Sequence, residues 1–331
     1  MSNLRFGILG AARIASALAP AIRAAHGAEL IGIAARDETR ARAFADQFGI
    51  PQVFADYDAL LSSDEIDAVY IPLPNDLHAP WAIRALEAGK HVLLEKPSAM
   101  TSAETARVLE VAAQHGKTVF EGFMYRYHPQ FTRALELVRG EAIGELRLVR
   151  SSFSFTLTRD ADHRWLRSQG GGALFDLGCY CTNAALLFMN DTPQVVEARA
   201  TWGSRAGAPR EEFVDVEFVA TMEFSGGRRA MFDCSLRHPT RQKLELVGTT
   251  GILELEGFVA PRDQPGRVVL NGVAEETPAA DRYQLMVEHF VRVVAGVDTP
   301  WFDAPDQPTS AWPQMRTLEA LLQSAERNSP R

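Results

Sequence analysis

Short apolar segments alternate with amphipathic segments through about the first 120 residues of the chain. The apolar segments have the length and composition of buried strands, and they are residues 5–9, 29–34, 68–71, 91–94 and 118–120. Apolar residues recur at three- and four-residue spacing, as in helices that pack on a sheet, in residues 14–25, 38–48, 77–88 and 103–115. Gly49, Gly89 and Gly116 follow three of these segments and are expected to end the helices. The alternation predicts an α/β fold with a doubly wound parallel sheet of the Rossmann type over residues 1–122.

The pattern changes after residue 122. Longer strand-like runs follow a helical segment at 129–138, and they occupy residues 146–155, 195–202, 213–224, 229–236, 243–247 and 252–255. Gly-Gly and Gly-Thr-Thr-Gly turns join consecutive runs, which is typical of antiparallel hairpins. The stretch 257–278 has the composition of a loop, and we interpret it as a connection. The sequence therefore predicts a second, α+β domain with an open, mostly antiparallel sheet over residues 123–331.

Composition and charge exclude several classes of function. The 331 residues carry a net charge of −8 with both signs interspersed, which argues against nucleic acid or an anionic membrane as a partner. The chain runs directly into its first strand, so we expect neither a signal peptide nor a membrane span. Cys179, Cys181 and Cys234 are too few for a disulfide framework, and the C-x-C pair lacks the second ligand pair of a zinc site. We therefore expect a protein of the reducing cytoplasm without a metal.

A tight turn, Gly10-Ala11-Ala12-Arg13-Ile14-Ala15, connects the first strand to the first helix. It is a variant of G-x-G-x-x-G in which alanines replace the second and third glycines. Gly10 allows the turn, and the small Ala12 lets backbone N–H groups approach a pyrophosphate at the helix N-terminus. Arg13 and Ile14 follow in the first helical turn, where Arg13 is either a second cation near the phosphates or an ordinary exposed arginine. The turn and its context predict dinucleotide binding.

The second strand ends at Ala34-Ala35-Arg36-Asp37, where the adenosine ribose is expected to bind. An acidic residue at the strand tip would select NAD, whereas an arginine can pair with the 2′-phosphate of NADP. Arg36 therefore favours NADP, and Asp37 is free either to read the ribose or to cap the helix that starts at Glu38. NAD remains possible as the cofactor.

Two further strand ends carry candidate site residues. The third ends in Pro72-Leu73-Pro74-Asn75-Asp76-Leu77-His78, in which the prolines stop the strand and Asn75 is a helix cap or a cofactor contact. The fourth ends in Glu95-Lys96-Pro97, which places a lysine at the sheet edge where open α/β sheets bind ligands. The alternative for Lys96 is a surface lysine before a turn.

The chain resembles the Gfo/Idh/MocA oxidoreductase family, and is most similar to its dimeric dihydrodiol dehydrogenase and NADP-dependent D-xylose dehydrogenase branch. The motifs that carry the resemblance occur in order over nearly the whole chain, at residues 10–15, 72–78, 95–97, 121–129 and 170–180. The resemblance implies a Rossmann domain followed by a substrate-binding domain whose open sheet forms the subunit interface. It therefore implies a homodimer, or a tetramer.

The resemblance also implies roles for individual residues. Lys96 matches the family lysine, and Asp176 to Tyr180 match the D-x-x-x-H motif with tyrosine in the histidine place, a departure that this branch shares. On a regular helix Asp176 and Tyr180 would share one face. The contacts on the nicotinamide side of the family correspond by position to Asn75, His78, Glu95, Trp165 and Tyr283, and cofactor contacts are also expected at Pro72 and Leu73.

Proton transfer is the chemistry that these residues would supply. A tyrosine hydroxyl with its ordinary pKa of about 10 is a poor base at neutral pH, but a nearby ammonium such as that of Lys96 favours the phenolate. Asp176 would hold a substrate hydroxyl or position Lys96. The alternatives are local: Tyr180 as a packed helix residue and Asp176 as a helix cap. Arg126 and His163 are further candidates for the substrate pocket, or else polar residues of an interdomain linker.

We therefore predict an NADP-preferring oxidoreductase. Its expected reaction transfers a hydride between the nicotinamide and a hydroxyl or carbonyl of a sugar, polyol or dihydrodiol, with Lys96 and Tyr180 handling the proton. The alternatives are an NAD-dependent dehydrogenase of the inositol or polyol type and a catalytically weak sensor that binds NADPH.

Overall fold

The computed structural model describes residues 3–205, 207–259, 263–299 and 307–329. The chain forms two compact units. Unit 1 comprises residues 1–124 and 281–304, and unit 2 comprises residues 125–280 and 305–331. The chain thus returns to unit 1 through a segment that the sequence analysis assigned to the second domain.

A six-stranded parallel sheet forms the centre of unit 1. Its strands are β1 (Leu4–Leu9), β2 (Ala28–Ala34), β3 (Gln52–Val53), β4 (Ala68–Ile71), β5 (His91–Leu94) and β6 (Val119–Glu121). They lie in the order β3-β2-β1-β4-β5-β6, and every neighbouring pair is parallel. This confirms the predicted doubly wound sheet and adds β3, which is too short to show a pattern. The order reverses between β1 and β4, and ligands of such sheets bind at the carboxyl ends of the strands near that point.

The helices of unit 1 connect these strands. They are α1 (Ala15–Ala24), α2 (Glu38–Phe48), α3 (Tyr57–Leu61), α4 (His78–Glu87) and α5 (Ser102–His115). Gly49, Gly89 and Gly116 have φ values of 63°, 76° and 61° at the ends of three helices, which confirms the predicted helix stops. The short α3 was not predicted; Asp56 caps it by accepting a hydrogen bond from Ala59 N at 2.7 Å.

An eight-stranded sheet forms the centre of unit 2. Its strands are β7 (Leu146–Ser154), β8 (Val195–Gly203), β9 (Val214–Glu223), β10 (Arg229–Ser235), β11 (Arg241–Gly248), β12 (Ile252–Glu256), β13 (Gly266–Leu270) and β14 (Val273–Thr277). They lie in the order β14-β13-β12-β11-β7-β10-β9-β8. Only β7 and β10 pair in parallel among these described strands. The open, mostly antiparallel sheet that the sequence predicted is confirmed.

The interpretation of residues 257–278 as a loop is wrong. They contain the hairpin β13–β14, whose turn is Asn271-Gly272 with φ values of 50° and 81°. Two consecutive positive φ values are typical of a tight hairpin turn, and Asn-Gly is the dipeptide that best accommodates them. The signal was present in the sequence, but the exposed charged residues of β14 hid the strand pattern.

Two helices, α6 (Pro129–Arg139) and α7 (Cys179–Met189), precede β8 in unit 2, and every residue of α7 is buried. The segment Arg167–Met189 is long and apolar enough to cross a membrane, which the sequence analysis did not expect, but 94% of its apolar 18-residue window is buried inside the protein. Cys179, Cys181 and Cys234 are buried thiols, and burial raises the pKa of Cys181 to about 12. Among the residues that the structure describes, no three His, Cys, Asp or Glu side chains form a group that could hold a metal ion.

The returning segment of unit 1 contains α8 (Arg282–Val294). Asp281 caps this helix by accepting hydrogen bonds from Tyr283 N and Gln284 N at 2.8 and 3.3 Å. Phe290 packs against Phe6 and Phe120 of the sheet, with ring centroids 5.8 and 5.2 Å apart. The chain then re-enters unit 2 and ends in α9 (Ala311–Asn328), which packs on β8.

Candidate functional site

Gly10 occupies the turn between β1 and α1. Its φ of 114° is rarely adopted by other residues, and an added Cβ would lie 2.9 Å from Leu73 Cδ2. Its N–H donates to Ala34 O at 2.7 Å. The helix α1 that follows has no side-chain cap at Ile14 and no acidic residue in its first turn. A helix start without an acidic side chain is compatible with a bound phosphate, and the phosphate contact at this turn stays a prediction.

Two arginines and a buried tyrosine gather at the carboxyl end of β2. Asp37 accepts a hydrogen bond from Arg40 N at 3.2 Å, so it caps α2. The Arg40 guanidinium donates to Ala11 O at 3.1 Å and so lies beside the first turn. Burial raises the pKa of Tyr57, while the charge of Arg36, a hydrogen bond from the Arg36 backbone and the charge of Arg40 oppose the shift. Sequence reasoning found Arg36 but missed Arg40, because Arg40 lies inside the helix and not at the strand tip.

His78 connects the turns that follow β4 and β5. Its side chain is buried, with Nδ1 2.7 Å from Pro97 O and Nε2 2.8 Å from Leu73 O. Asn75 is the first residue of a 3₁₀ turn, Asn75–Leu77, and α4 begins at His78 without a side-chain cap. Of the two alternatives for Asn75, the structure does not show the side-chain cap of α4, and the role as a cofactor contact stays a prediction.

Two buried carboxylates hold the turn that carries Lys96. Glu95 accepts hydrogen bonds from Tyr70 Oη at 2.7 Å and from Lys96 N at 3.3 Å. Glu121, at the end of β6, accepts from Ser98 N at 2.7 Å. The backbone on both sides of Lys96 is thus fixed at the carboxyl edge of the sheet. Glu121 had no assigned role in the sequence analysis, because its partner lies on another strand end.

In unit 2 the glycine-rich segment 170–172 leads into a helix that opens with a π-helical turn, Leu174–Gly178, before α7. A regular helix was predicted for this segment, and the π turn shows that prediction to be wrong. Asp176 lies in the π turn and Tyr180 in the first turn of α7, so regular α-helical spacing does not relate them. Such π turns are rare and occur frequently at functional sites.

Asp176 forms a two-point ion pair with Arg164. Arg164 Nε lies 2.6 Å from Asp176 Oδ2, and Nη2 lies 3.2 Å from Oδ1. The Asp176 carboxylate raises the pKa of Arg164 above its ordinary value, against the effect of burial. Two parallel charge-assisted hydrogen bonds fix the orientation of a carboxylate. The sequence alone did not reveal this partner of Asp176.

Asp162 extends the same network. Its Oδ1 accepts from Arg164 Nη1 at 3.2 Å and its Oδ2 from Arg159 Nε at 3.0 Å. Burial alone would raise the pKa of Asp162, but hydrogen bonds from Arg159 and the Arg164 backbone hold it below its ordinary value. Trp165 is buried, and its Nε1 donates to Arg159 O at 2.9 Å. The side chain of His163 is 35% exposed, so it is the more accessible of the two residues predicted in this segment.

Tyr180 is 6% exposed, and aromatic rings surround it. Its ring centroid lies 5.7 Å from that of Tyr125 and 5.5 Å from that of Phe153, both at tilted angles. These contacts hold the ring in one orientation.

Arg126 is a core residue of unit 2, where the sequence analysis had predicted a substrate contact. It is 1% exposed, and its Nε donates to Asn183 Oδ1 at 2.9 Å. Its Nη2 donates to Thr309 O at 3.1 Å. These bonds anchor α7 to the segment before α9. We therefore leave Arg126 out of the substrate site.

Tyr283 lies in the first turn of α8 and is 4% exposed. The Arg282 guanidinium lies 5.2 Å from its ring centroid. The assignments of Tyr283 and Trp165 to the nicotinamide side stay predictions.

Family models match most of the chain. The oxidoreductase family with an NAD-binding Rossmann fold matches residues 4–123, and the GFO/IDH/MocA C-terminal domain matches residues 131–254. The protein belongs to the Gfo/Idh/MocA oxidoreductase family. The predicted family and enzyme class are confirmed.

Relatives of this Gfo/Idh/MocA protein include a xylose dehydrogenase and dihydrodiol dehydrogenases, the enzymes of the predicted branch. It is 39% identical over 334 residues to D-xylose 1-dehydrogenase (NADP(+)) 2 of Haloferax volcanii, covering 98% of both chains. It is 30% identical to trans-1,2-dihydrobenzene-1,2-diol dehydrogenase of Mus musculus, covering 83% and 80% of the two chains. A solved 3-ketoreductase from Actinomadura kijaniata, in complex with NADP and TDP-benzene, is 31% identical with a TM-score of 0.88 and 98% coverage of both chains. That ketoreductase was also solved with a tyrosine changed to phenylalanine and with a lysine changed to alanine.

Proposed function

We propose that the protein is an NADP-preferring oxidoreductase acting on a sugar, polyol or dihydrodiol. It would interconvert a hydroxyl and a carbonyl group of that substrate, with Tyr180 and Lys96 handling the proton. The family supports the reaction class, and the named relatives support the substrate classes.

The observation that supports this proposal is the presence of a lysine at the end of β5 and of a tyrosine in α7, at a separation along the chain that a solved relative shares. In the structures of the Actinomadura ketoreductase variants, the substituted lysine and tyrosine are separated by the same number of positions as Lys96 and Tyr180 are here. Because the two chains align over 98% of their lengths, this equal separation supports the correspondence of Lys96 and Tyr180 with the substituted lysine and tyrosine. The backbone at Lys96 and the ring of Tyr180 are each held by their own surroundings.

The protein residues would move the proton while the bound nicotinamide accepts or donates the hydride. In the direction of oxidation, the Tyr180 hydroxyl oxygen would take the proton from the substrate hydroxyl, and in reduction it would return it. The ammonium of Lys96 would favour the phenolate form that this requires, because an opposite charge stabilises an ionised group. The aromatic neighbours of Tyr180 would keep water away from the transferred proton.

Asp176 would bind a substrate hydroxyl. Arg164 holds it as an oriented carboxylate, a group whose oxygens accept hydrogen bonds from hydroxyls. The two hydrogen bonds from Arg164 hold this carboxylate in a fixed orientation. A positioning role for Asp176 is therefore favoured over proton transfer.

The end of β2 fits NADP. Asp37 is committed to the cap of α2, which removes the acidic group that would read an unmodified ribose. Arg36 and Arg40 are exposed beside the first turn, where a 2′-phosphate would meet two positive charges. We propose that Arg40 contributes to this preference together with Arg36.

A panel of substrates with both cofactors tests the function. We expect the purified protein to change the nicotinamide absorbance with at least one aldose or trans-dihydrodiol, and more efficiently with NADP than with NAD. The Tyr180→Phe variant is the control for a contaminating activity. Tight NADPH binding without turnover on any substrate would favour the sensor, and turnover of inositol with NAD alone would favour the polyol-type alternative.

The open face of the unit 2 sheet supports a homodimer. Cross-strand neighbours place Val219, Asp233, Ser152, Lys243 and Glu256 in one row and Thr221, Met231, Arg150, Glu245 and Glu254 in the next. These rows line a groove of about 750 Å³. Its lining includes acidic side chains, basic side chains and two exposed apolar side chains. Val219 and Met231 are 51% and 39% exposed, and a two-fold copy of the same face would cover them.

Light scattering should therefore return twice the chain mass of 36.4 kDa at micromolar concentration. The variant Met231→Lys should shift the protein toward monomer, because its cross-strand neighbours are Thr221 and Arg150 and the interface would therefore bury an ammonium beside a like charge. Val273→Lys is the matched control, since Val273 is 73% exposed and lies outside the groove. A wild-type monomer would reject the dimer, and four chain masses would favour the tetramer.

A further inference from the structure

Asp215 lies at the start of β9, far along the chain from the glycine-rich segment, and it contacts the helix that this segment begins. The carboxylate is 3% exposed, and its Oδ2 accepts a hydrogen bond from Leu174 N at 2.6 Å. Ala173 N donates to the same carboxylate. These are N–H groups of the first turn, which a helix cannot satisfy from within itself.

Gly172 makes room for this contact. An added Cβ at Gly172 would lie 2.0 Å from Asp215 Oδ1, and the φ of Gly172 is 114°. The residue at the helix start, Ala173, makes no side-chain cap bond of its own. A carboxylate from another strand thus takes the place that a local Ser, Thr or Asp usually fills.

We propose that Asp215 is a positioning residue, which sets the orientation of Asp176 and Tyr180 by anchoring the start of their helix to β9. Leu174 precedes Asp176 by two residues and lies in the same π turn. A shift of the helix start would be transmitted to both side chains, because the rest of α7 is buried and cannot absorb it. The catalytic consequence rests on the proposed function, whereas the anchoring does not.

The protonation state of Asp215 affects the hydrogen bonds that anchor the helix start, because these N–H groups donate to its carboxylate. Burial raises the pKa of Asp215 to about 7, against hydrogen bonds from Leu174 and Ala173 and the charge of Arg167. Cys234 of β10 also faces it, and the Asp176–Arg164 pair lies further along the helix segment. The folded protein therefore binds a proton here that the unfolded chain releases near its ordinary pKa of 3.8. The stability that this proton contributes is present at low pH and is lost as the pH rises through about 7.

The isosteric variant Asp215→Asn tests the anchor. We expect kcat to fall by about 10- to 100-fold, the usual range for a residue that orients a reacting group, while the Kd for NADPH changes less than about twofold. The decline of kcat below about pH 7 that protonation of Asp215 produces should disappear in the variant. Its unfolding free energy should lose the fall with rising pH that wild type shows in that range. Glu217→Gln, an amide substitution on the same strand, is the matched control and should keep the wild-type pH profile.

Hydrogen exchange at the amides of residues 173–180 provides a readout without substrate. A protonated carboxyl is a weaker acceptor for the Leu174 and Ala173 N–H groups, even though the proton raises the free energy of global unfolding. For local opening of the helix start, after correction for the intrinsic rate, we therefore expect lower protection in wild type at pH 6 than at pH 8, and low protection at both values in Asp215→Asn. If no substrate of the panel is turned over but this exchange pattern is observed, the result supports the anchor and contradicts the proposed function. The anchor would be overturned if Asp215→Asn kept the wild-type kcat, pH profile and hydrogen-exchange protection. If the variant does not fold, equal hydrogen-exchange protection of the wild-type protein at pH 6 and pH 8 would overturn it.

Discussion

Replacing Tyr180 with phenylalanine is expected to slow single-turnover hydride transfer by about 10²–10⁴-fold, the range for a lost general acid–base. Phenylalanine keeps the ring contacts with Tyr125 and Phe153, so the loss reports the hydroxyl group alone. NADPH binding should stay near the wild-type value, because the variant removes no group at the first turn or at the end of β2.

Lys96→Met should show a loss of similar size and also a weaker affinity for NADPH. The double variant should cost little more than the worse single variant, because two residues that act as one unit have strongly non-additive effects. Lys117→Met removes a lysine that follows α5 and serves as the control for the loss of one positive charge. A wild-type rate in Tyr180→Phe would move proton transfer to His163, Asp176 or a bound water.

Arg36→Ala is expected to weaken NADP binding by about 10- to 100-fold, the value of a charge-assisted bond to a phosphate. NAD lacks the 2′-phosphate, so its affinity should change by less than about twofold. Arg40→Ala should act in the same direction, since its guanidinium reaches the first turn from α2. Binding is measured with both cofactors at low and high salt, because screening reduces an exposed ion pair.

Arg107→Ala provides the control for that measurement. Arg107 lies on the surface of α5 and pairs with Glu110 at 2.7 Å, so its loss should leave both affinities unchanged. Equal losses for NADP and NAD in Arg36→Ala would show that Arg36 contacts a part that the two cofactors share.

Much of the fold was predictable because its signals are local. The strands of unit 1 are short apolar runs, and the helix stops are glycines with left-handed φ values. The elements that escaped prediction lack such signals: β3 has two residues, and β14 exposes nearly every side chain. The return of α8 to unit 1 also escaped, because an amphipathic helix does not reveal which sheet its apolar side will cover.

The candidate site divides in the same way. Lys96, Asp176 and Tyr180 could be proposed as candidates from the sequence, because they lie in motifs at a strand end and after a glycine-rich segment. The contacts that hold these segments in place were not predicted, since each joins residues that are not neighbours in the chain: Arg164 with Asp176, Glu121 with Ser98, and Asp215 with Leu174. The error at Arg126 has the same origin, because its burial depends on Asn183 and Thr309.

By itself, the sequence determined the class of fold, the family and the kind of residue available for chemistry, because periodicity, turn residues and ordered motifs are properties of neighbouring positions. Only the tertiary structure decided which charges are paired, which carboxylate caps which helix, and where a π turn interrupts the regular spacing. Those properties follow from burial and from long-range hydrogen bonds, whose energies depend on atoms that the linear order of the chain does not bring together.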